Sequence, residues 1–383
     1  MTSRRNILLL VGGGLVLAAG AAGAGAYTWA TNHGPSTAAR EAWVLAGQPK
    51  EFRRRFLSFA LLAPNPHNRQ PWQVKLLGDD QLALYCDLDR RLPASDPYDR
   101  QITLGCGAFL ELLHLAAANE GYSAEIVPFP EGEPKPRLDK RPIAHVRFIE
   151  GASARDPAFE HILKRVTNRE IYDHTRPDDM AIASLMVAGS TQGAQCRASS
   201  DPARVAKLRD LTWRAYEREA TTPSANTETA RLLRIGKDEV EAHRDGIALE
   251  GPAMEAMKAA GLLTEKAMED PNSMASKQGR DLWRTKAMSA QAFAWLVTET
   301  NDRYAQLAAG SAYARFSLKA AELGLAIHPW SQSLQEYPEM QPFYAEAQAM
   351  LGEGGVVQML VRLGSAKPVI HAPRRGLEPL LIA

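Results

Sequence analysis

The spacing of apolar and polar positions changes several times along this chain of 383 residues. Residues 53–62 (R-R-R-F-L-S-F-A-L-L) read as an apolar helix face. The next apolar runs, Q-V-K-L-L at 73–77 and Q-L-A-L-Y-C-D at 81–87, are short and separated by G-D-D, which predicts a hairpin with a Gly-Asp turn. Residues 107–121 (G-A-F-L-E-L-L-H-L-A-A-A-N-E-G) and 310–324 (G-S-A-Y-A-R-F-S-L-K-A-A-E-L-G) predict two matching helices, each stopped by a glycine. A hydrophobic stretch holding a proline followed by an aromatic comes after each, at Pro128-Phe129 and Pro329-Trp330. A-H-V-R-F-I at 144–149 and M-L-V-R-L-G at 359–364 pair up as core strands, and residues 185–195 faintly echo 61–70.

These internal matches predict an α+β chain built from two fused half-units, 40–155 and 156–383, folded against each other as a pseudo-dimer. The second half opens with Phe159, Ile162, Leu163 and Val166 at helical spacing, ending near Thr167 and Asn168. Residues 221–288 have no counterpart in the first half. Their charged helical stretches predict an insertion lying over a site as a lid. The methionines at 254, 257, 268 and 274 read as gap-fillers on apolar faces.

Between the first helix and the hairpin, residues 63–72 read A-P-N-P-H-N-R-Q-P-W. Three prolines exclude helix interior, so the backbone polar groups there must be paired by neighbours or bind something. The segment is either a ligand loop bearing amide side chains or an ordinary structured connection. Arg165, Thr167 and Arg169 alternate along a segment read as irregular. Two guanidiniums flanking a hydroxyl suit a phosphate; standing alone they would read as solvated surface. Near the chain end, Arg374 and Arg375 lie between Pro373 and Gly376 and form a second basic point.

Composition narrows the classes. A hydrophobic content of 45% with 23% charged residues is globular, and a net charge of +1 gives no electrostatic case for nucleic acid. Cys86, Cys106 and Cys196 are too few and scattered for a disulfide framework and read as small buried hydrophobes. No catalytic triad, metal cluster or dinucleotide fingerprint stands out. Residues 1–32 begin M-T-S-R-R-N-I-L-L-L and continue apolar. They read as an export signal or a membrane anchor, and Ser3-Arg4-Arg5-Asn6-Ile7-Leu8 resembles a twin-arginine signal. The expectation is a protein handled by the twin-arginine export machinery, periplasmic or anchored to the inner membrane on that side.

Taken together, A-P-N-P-H-N-R-Q-P-W (63–72), R-V-T-N-R (165–169), G-L-A-I-H-P-W-S-Q (324–332) and V-R-L-G with P-R-R (361–364 and 373–375) resemble the flavin-dependent nitroreductase superfamily, in its tandem single-chain bacterial branch. The resemblance covers most of the chain beyond residue 40. It implies a nitroreductase-like fold with one composite FMN site. Arg165, Thr167 and Arg169, then Arg374 or Arg375, would hold the phosphate. Pro64, Asn65 and Asn68 would lie along the flavin, braced by Gln70 and Trp72, and the loop containing Pro329 would approach the ring. His67 reads as a loop hydrogen-bonder. Asn65 stands where the family usually has serine. The resemblance implies chemistry at the flavin N5 with no catalytic side chain, a small planar acceptor such as a nitroaromatic or quinone, an unidentified electron donor, and a monomer. The alternative is a protein that stores or shelters flavin with little turnover; a structural repeat protein without cofactor is a third reading.

Overall fold

The computed structural model describes residues 33–151 and 153–383. The export-signal reading falls on residues 1–32, outside the described residues. The first half contains a short helix α1 (Glu41–Val44), helix α2 (Phe52–Ala60), the hairpin β1 (Trp72–Leu77) and β2 (Gln81–Cys86), the long helix α3 (Arg100–Asn119), and strands β3 (Tyr122–Pro128) and β4 (Ala144–Glu150). The second half contains α4 (Asp179–Ala188) and β5 (Gln195–Ser199). A helical segment follows: α5 (Pro202–Thr221), α6 (Pro223–Arg231), β6 (Leu233–Ile235), α7 (Lys237–His243), β7 (Ile247–Leu249), α8 (Pro252–Ala259), α9 (Glu265–Glu269) and α10 (Met274–Met288). The chain then resumes with β8 (Ala292–Thr298), α11 (Arg303–Glu322), β9 (Ala326–Pro329), α12 (Gln341–Leu351), β10 (Val356–Gly364) and a final short strand β11 (Leu381–Ile382).

The two main sheets have the same plan. One runs β1-β2-β4-β3 and the other β5-β8-β10-β9, with every neighbouring pair antiparallel. In both, the long helix links the second strand of the order to the fourth. The halves differ at one connection. Where the first half turns from β1 to β2 at Gly78, the second half inserts everything from α5 to α10. The insertion therefore begins at Pro202, earlier than the expected residue 221, because α5 has no equivalent in the hairpin. A second revision concerns the tail. β11 pairs parallel with β1, Val74 opposite Leu381, so the chain end joins the first sheet instead of staying with the second half. The helix expected over 159–166 is a 3-10 stretch, Pro157–Lys164, and 165–169 is irregular as expected.

Helices α3 and α11 cross at the centre. α3 is buried almost all round, which suits an apolar helix with neighbours on every side. An added Cβ on Gly107 would stand 2.1 Å from the Leu307 carbonyl oxygen, and one on Gly310 would stand 2.0 Å from that of Leu104. Only glycine permits backbones to approach so closely. The contact is reciprocal: the separation that relates Gly107 to Gly310 also relates Leu104 to Leu307, Asp99 to Asp302 and Arg100 to Arg303. That is the form of an isologous contact made within one chain. Both arginines are buried and reach across. Arg100 donates to the carbonyls of Gln358 (2.6 Å) and Leu334 (2.7 Å). Arg303 donates to those of Tyr98 (2.7 Å) and Pro136 (2.9 Å) and to the Thr103 hydroxyl (3.1 Å). All three cysteines are free and buried.

Candidate functional site

Residues 63–71 are held in a conformation that ordinary side chains avoid. His67 (φ 47°), Asn68 (φ 51°) and Gln70 (φ 50°) are all left-handed without being glycine. Such backbone persists only where surroundings fix it, and the fixing bonds are visible. The Asn65 side-chain oxygen accepts from the Gln70 N–H at 2.7 Å. The Asn68 amide donates to the Pro373 carbonyl at 3.0 Å and its oxygen accepts from Arg374 at 2.7 Å. The Gln70 oxygen accepts from the Arg375 N–H at 2.9 Å, and its amide donates to the Arg244 carbonyl at 2.9 Å.

The side chains of Asn68, Gln70 and Arg374, expected among the cofactor-binding residues, are engaged in this network, Gln70 in the bracing role expected of it. Arg374 is buried and gives Nε to Leu61, Nη2 to Leu62 and Ala63, and Nη1 to Asn68 and Pro373. That uses every donor of a guanidinium, so Arg374 acts as a staple between the chain end and the turn after α2. Arg375 points away from it, toward Asp87 at 3.9 Å. Pro64 is buried and Asn65, Thr167 and Pro329 are half-buried.

What remains uncommitted is a small set of polar atoms. Arg165 is buried and has one weak bond, from Nη2 to the Leu62 carbonyl at 3.3 Å; its Nε and Nη1 have no partner. Arg169 is half-buried and makes no side-chain hydrogen bond or salt bridge among the described residues. The Tyr313 hydroxyl, on α11, and His67 Nδ1 are buried and unpartnered. These groups feel one another: burial pushes the Tyr313 hydroxyl up to about 12 against the pull of Arg165 and Arg169. Burial, then Arg169, pushes His67 down to about 4. Arg165 and Arg374 flank the Trp43 ring at 5.9 and 5.3 Å, and His371 stacks on it at 4.0 Å. Burial and then Arg165 hold Arg374 well below the usual arginine range. No carboxylate forms a salt bridge with Arg165, Arg169 or Arg374 among the described residues. Buried cations without an acid are destabilising, and unsatisfied buried donors add a further penalty. A ligand bringing negative oxygens relieves both. The loop of the first half, the 165–169 segment that opens the second and the central helix α11 thus meet at one cationic point.

Tyr313 escaped the sequence reading although a signal was present. Aligning Gly107 with Gly310 sets Tyr313 against Leu110, a hydroxyl tip in place of an aliphatic one on a buried face. Arg169 also feels a second group of residues, His328, Lys286 and Arg362, which the sequence did not join to it.

The buried histidines give the first prediction, for the ligand-free protein. His67 and His328 are both held neutral below the ordinary histidine value, chiefly by burial. An unfolded chain takes up protons at about pH 6.5 that the folded chain refuses, so stability falls as pH drops below that point. The slope is about 1.4 kcal/mol per pH unit for each histidine. Urea melts of His67→Gln between pH 7 and 5 are expected to lose stability less steeply than the parent by about one such increment.

The insertion is fastened to the loop. Asp245, buried between β6 and β7, accepts from Arg69 (3.0 Å) and Arg90 (2.8 Å) of the first half and from Arg234 (2.8 Å) of the insertion. The Gly246 N–H reaches the Asn68 carbonyl at 3.3 Å. Beside this clasp the loop and α6 border an open cleft of about 630 Å³ lined by Arg69, Arg91, Pro93, Pro223, Thr227 and Arg231. Asp245→Asn keeps the shape but removes the charge facing three guanidiniums. It is expected to lower folding stability by about 2 kcal/mol and to speed proteolytic cleavage within α6 and α7, read by melts and by limited digestion.

No family model matches the chain. A putative NAD(P)H nitroreductase of Mycobacterium tuberculosis is 28% identical over 341 residues, covering 86% of this chain and 90% of that protein. The putative NAD(P)H nitroreductase acg of the same organism is 36% identical over 114 residues, covering 30% and 33%. Among solved structures, the FMN-dependent nitroreductase NfnB from Mycobacterium smegmatis in complex with NADPH aligns at 18% identity over 58% of this chain and 96% of its own, with a TM-score of 0.36, a likeness too loose to carry an inference. The chain is an α+β relative of mycobacterial putative NAD(P)H nitroreductases, alike to one of them along 90% of that protein's length.

Proposed function

We propose that the chain is an FMN-dependent oxidoreductase with one composite flavin site, reducing small planar acceptors such as nitroaromatics or quinones. The observation that supports it most directly is the set of uncommitted atoms on Arg165, Tyr313 and His67, with Arg169 beside them and no acid paired to them. A phosphate monoester suits this set, since it offers several oxygens and carries up to two negative charges. The fused pseudo-dimer explains why the site is single: Leu110 stands opposite Tyr313 in the matching helix, and Gly189 to Gln195 replaces the proline-rich loop.

FMN when bound supplies the redox chemistry at its N5. The chain's own residues do the rest. Arg165 and Arg169 hold the phosphate, with Thr167 between them. The strained turn at His67 and Asn68, braced by Gln70 and Arg374, presents a rigid edge to the ring system. The insertion excludes water. The clasp on Asp245 also favours a second reading, a protein that shelters flavin with little turnover, because it ties the insertion to Arg69 and Arg90 of the first half.

An absorbance spectrum of the purified protein, with mass identification of any released chromophore, tests the first claim. A colourless protein that does not take up FMN overturns it. Stopped-flow reduction and reoxidation then separates the two readings: rapid cycling with quinone supports the enzyme, and a tightly held flavin that exchanges no electrons supports the shelter.

A further inference from the structure

The open cleft beside the Asp245 clasp has no role in flavin binding as proposed above. Arg69 and the segment 91–94 of the first half form one side of it, and the face of α6 carrying Ser224, Thr227, Glu228 and Arg231 forms the other. Spacings of three and four place those helix residues on one side of α6. The charges of the lining do not balance. Three arginines stand against one carboxylate, Glu228. That carboxylate is already taken: it accepts from the Ala94 N–H (2.9 Å), the Ser95 N–H (3.0 Å) and the Ser95 hydroxyl (2.6 Å). Asp245 gives little relief, because its single charge serves Arg69, Arg90 and Arg234 together.

Donors are left over on both sides. Arg91 gives Nε to the Leu88 carbonyl (3.0 Å) and Nη1 to the Leu138 carbonyl (3.0 Å), with Asp99 at 3.6 Å; its Nη2 has no partner among the described residues. Arg231 has only Glu269, at 3.6 Å and beyond hydrogen-bond reach. The Ser224 and Thr227 hydroxyls are unpartnered among the described residues, and Leu92, Pro93 and Leu232 add apolar surface. The second half supplies an internal comparison. Its cleft of about 370 Å³ lies at the matching place, by the start of β5 and the end of β8, as the first lies before β1 and after β2. There the one arginine, Arg197, is held by Glu353 at 2.5 Å, and Glu299 adds a second carboxylate. The shared fold therefore does not dictate a basic lining; the sequence of the first cleft does. Its volume is that of about twenty waters at about 30 Å³ each, within the range of small-molecule sites, so a bare inorganic anion would leave most of it empty.

We propose that this cleft is a second binding site, for a small organic dianion: a dicarboxylate with an apolar body, one acid on Arg91, the other on Arg231, and the α6 hydroxyls as further donors. The inference stands whether or not FMN is the cofactor. A ligand held this way joins α6 to the segment that follows β2, and so fastens the insertion to the first half beside the Asp245 clasp.

Isothermal titration of the purified protein with terephthalate, benzoate and terephthalamide tests it, since the three share a ring and differ in charge. Terephthalate is expected to bind about tenfold more tightly than benzoate, and the neutral diamide not at all. In Arg231→Met, which removes a side chain 68% exposed and so leaves the packing intact, terephthalate is expected to fall to the benzoate affinity. Saturating terephthalate is also expected to slow proteolytic cleavage within α6 in the parent and not in Arg231→Met, a readout that reports on the cleft itself. No binding of terephthalate, equal affinity for terephthalate and benzoate, or terephthalate binding unaltered in Arg231→Met overturns the proposal. Binding lost in Arg165→Met and kept in Arg231→Met also overturns it, by moving the anion to the cationic point beside Tyr313.

Discussion

Replacing Arg165 and Arg169 together by methionine is expected to lower FMN affinity by about a hundredfold to ten-thousandfold, while the flavin-free protein melts at the same temperature or higher. Each lost charge-assisted contact to a phosphate is worth about 1.5–3 kcal/mol, and each 1.4 kcal/mol is about tenfold in affinity. The stability half of the expectation has the opposite sign. Arg165 is buried with two unpartnered nitrogens and no acid, and burial already pulls its pKa down. Removing an uncompensated buried charge stabilises the empty protein, as with other sites that favour function over stability. Isothermal titration with FMN and a thermal melt of the flavin-free protein read the two effects separately. A normal affinity in the double variant would remove the phosphate from this site.

The second large effect is structural. Gly107→Leu is expected to destabilise the fold by about 3 kcal/mol or more and to abolish flavin retention as well. Even the Cβ would sit 2.1 Å from the Leu307 carbonyl oxygen, a backbone atom that no rotamer change can move. The crossing of α3 and α11 must open, and with it the distance from the loop at His67 to Tyr313. Gly78→Ala makes a useful control, since no atom lies within 4 Å of the added Cβ although its φ of 49° carries a local strain. Chemical denaturation of both variants checks the difference.

Much of the plan was legible because it is local or repeated. Short apolar runs at 73–77 and 81–87 marked the hairpin, and matching glycines at 107 and 310 marked a repeated pair of helices, though not that they cross. Proline density correctly set residues 63–72 apart as irregular. The remainder was hidden because it depends on partners distant in sequence. Asn68 and Gln70 have the chemistry of ligand contacts, yet their bonds go to Pro373, Arg374, Arg375 and Arg244. Arg374 and Arg375 are adjacent in sequence, and only the path of β11 across the first sheet sends one toward Arg165 and the other toward Asp87. The start of the insertion was misplaced because α5 has apolar spacing like that of a core helix, with Val205, Leu208, Leu211 and Ala215 buried.

The reciprocal crossing of α3 and α11 has a consequence at low abundance. Two separate subunits meeting at such a seam would drift apart on dilution, and a cofactor seated between them would be shed at a rate set by how many copies were present. Here the linking peptide holds the effective concentration of one half near the other far above any cellular level of the protein. On the composite-site reading proposed above, flavin occupancy then depends on the supply of FMN alone, so that even a few molecules per cell stay loaded.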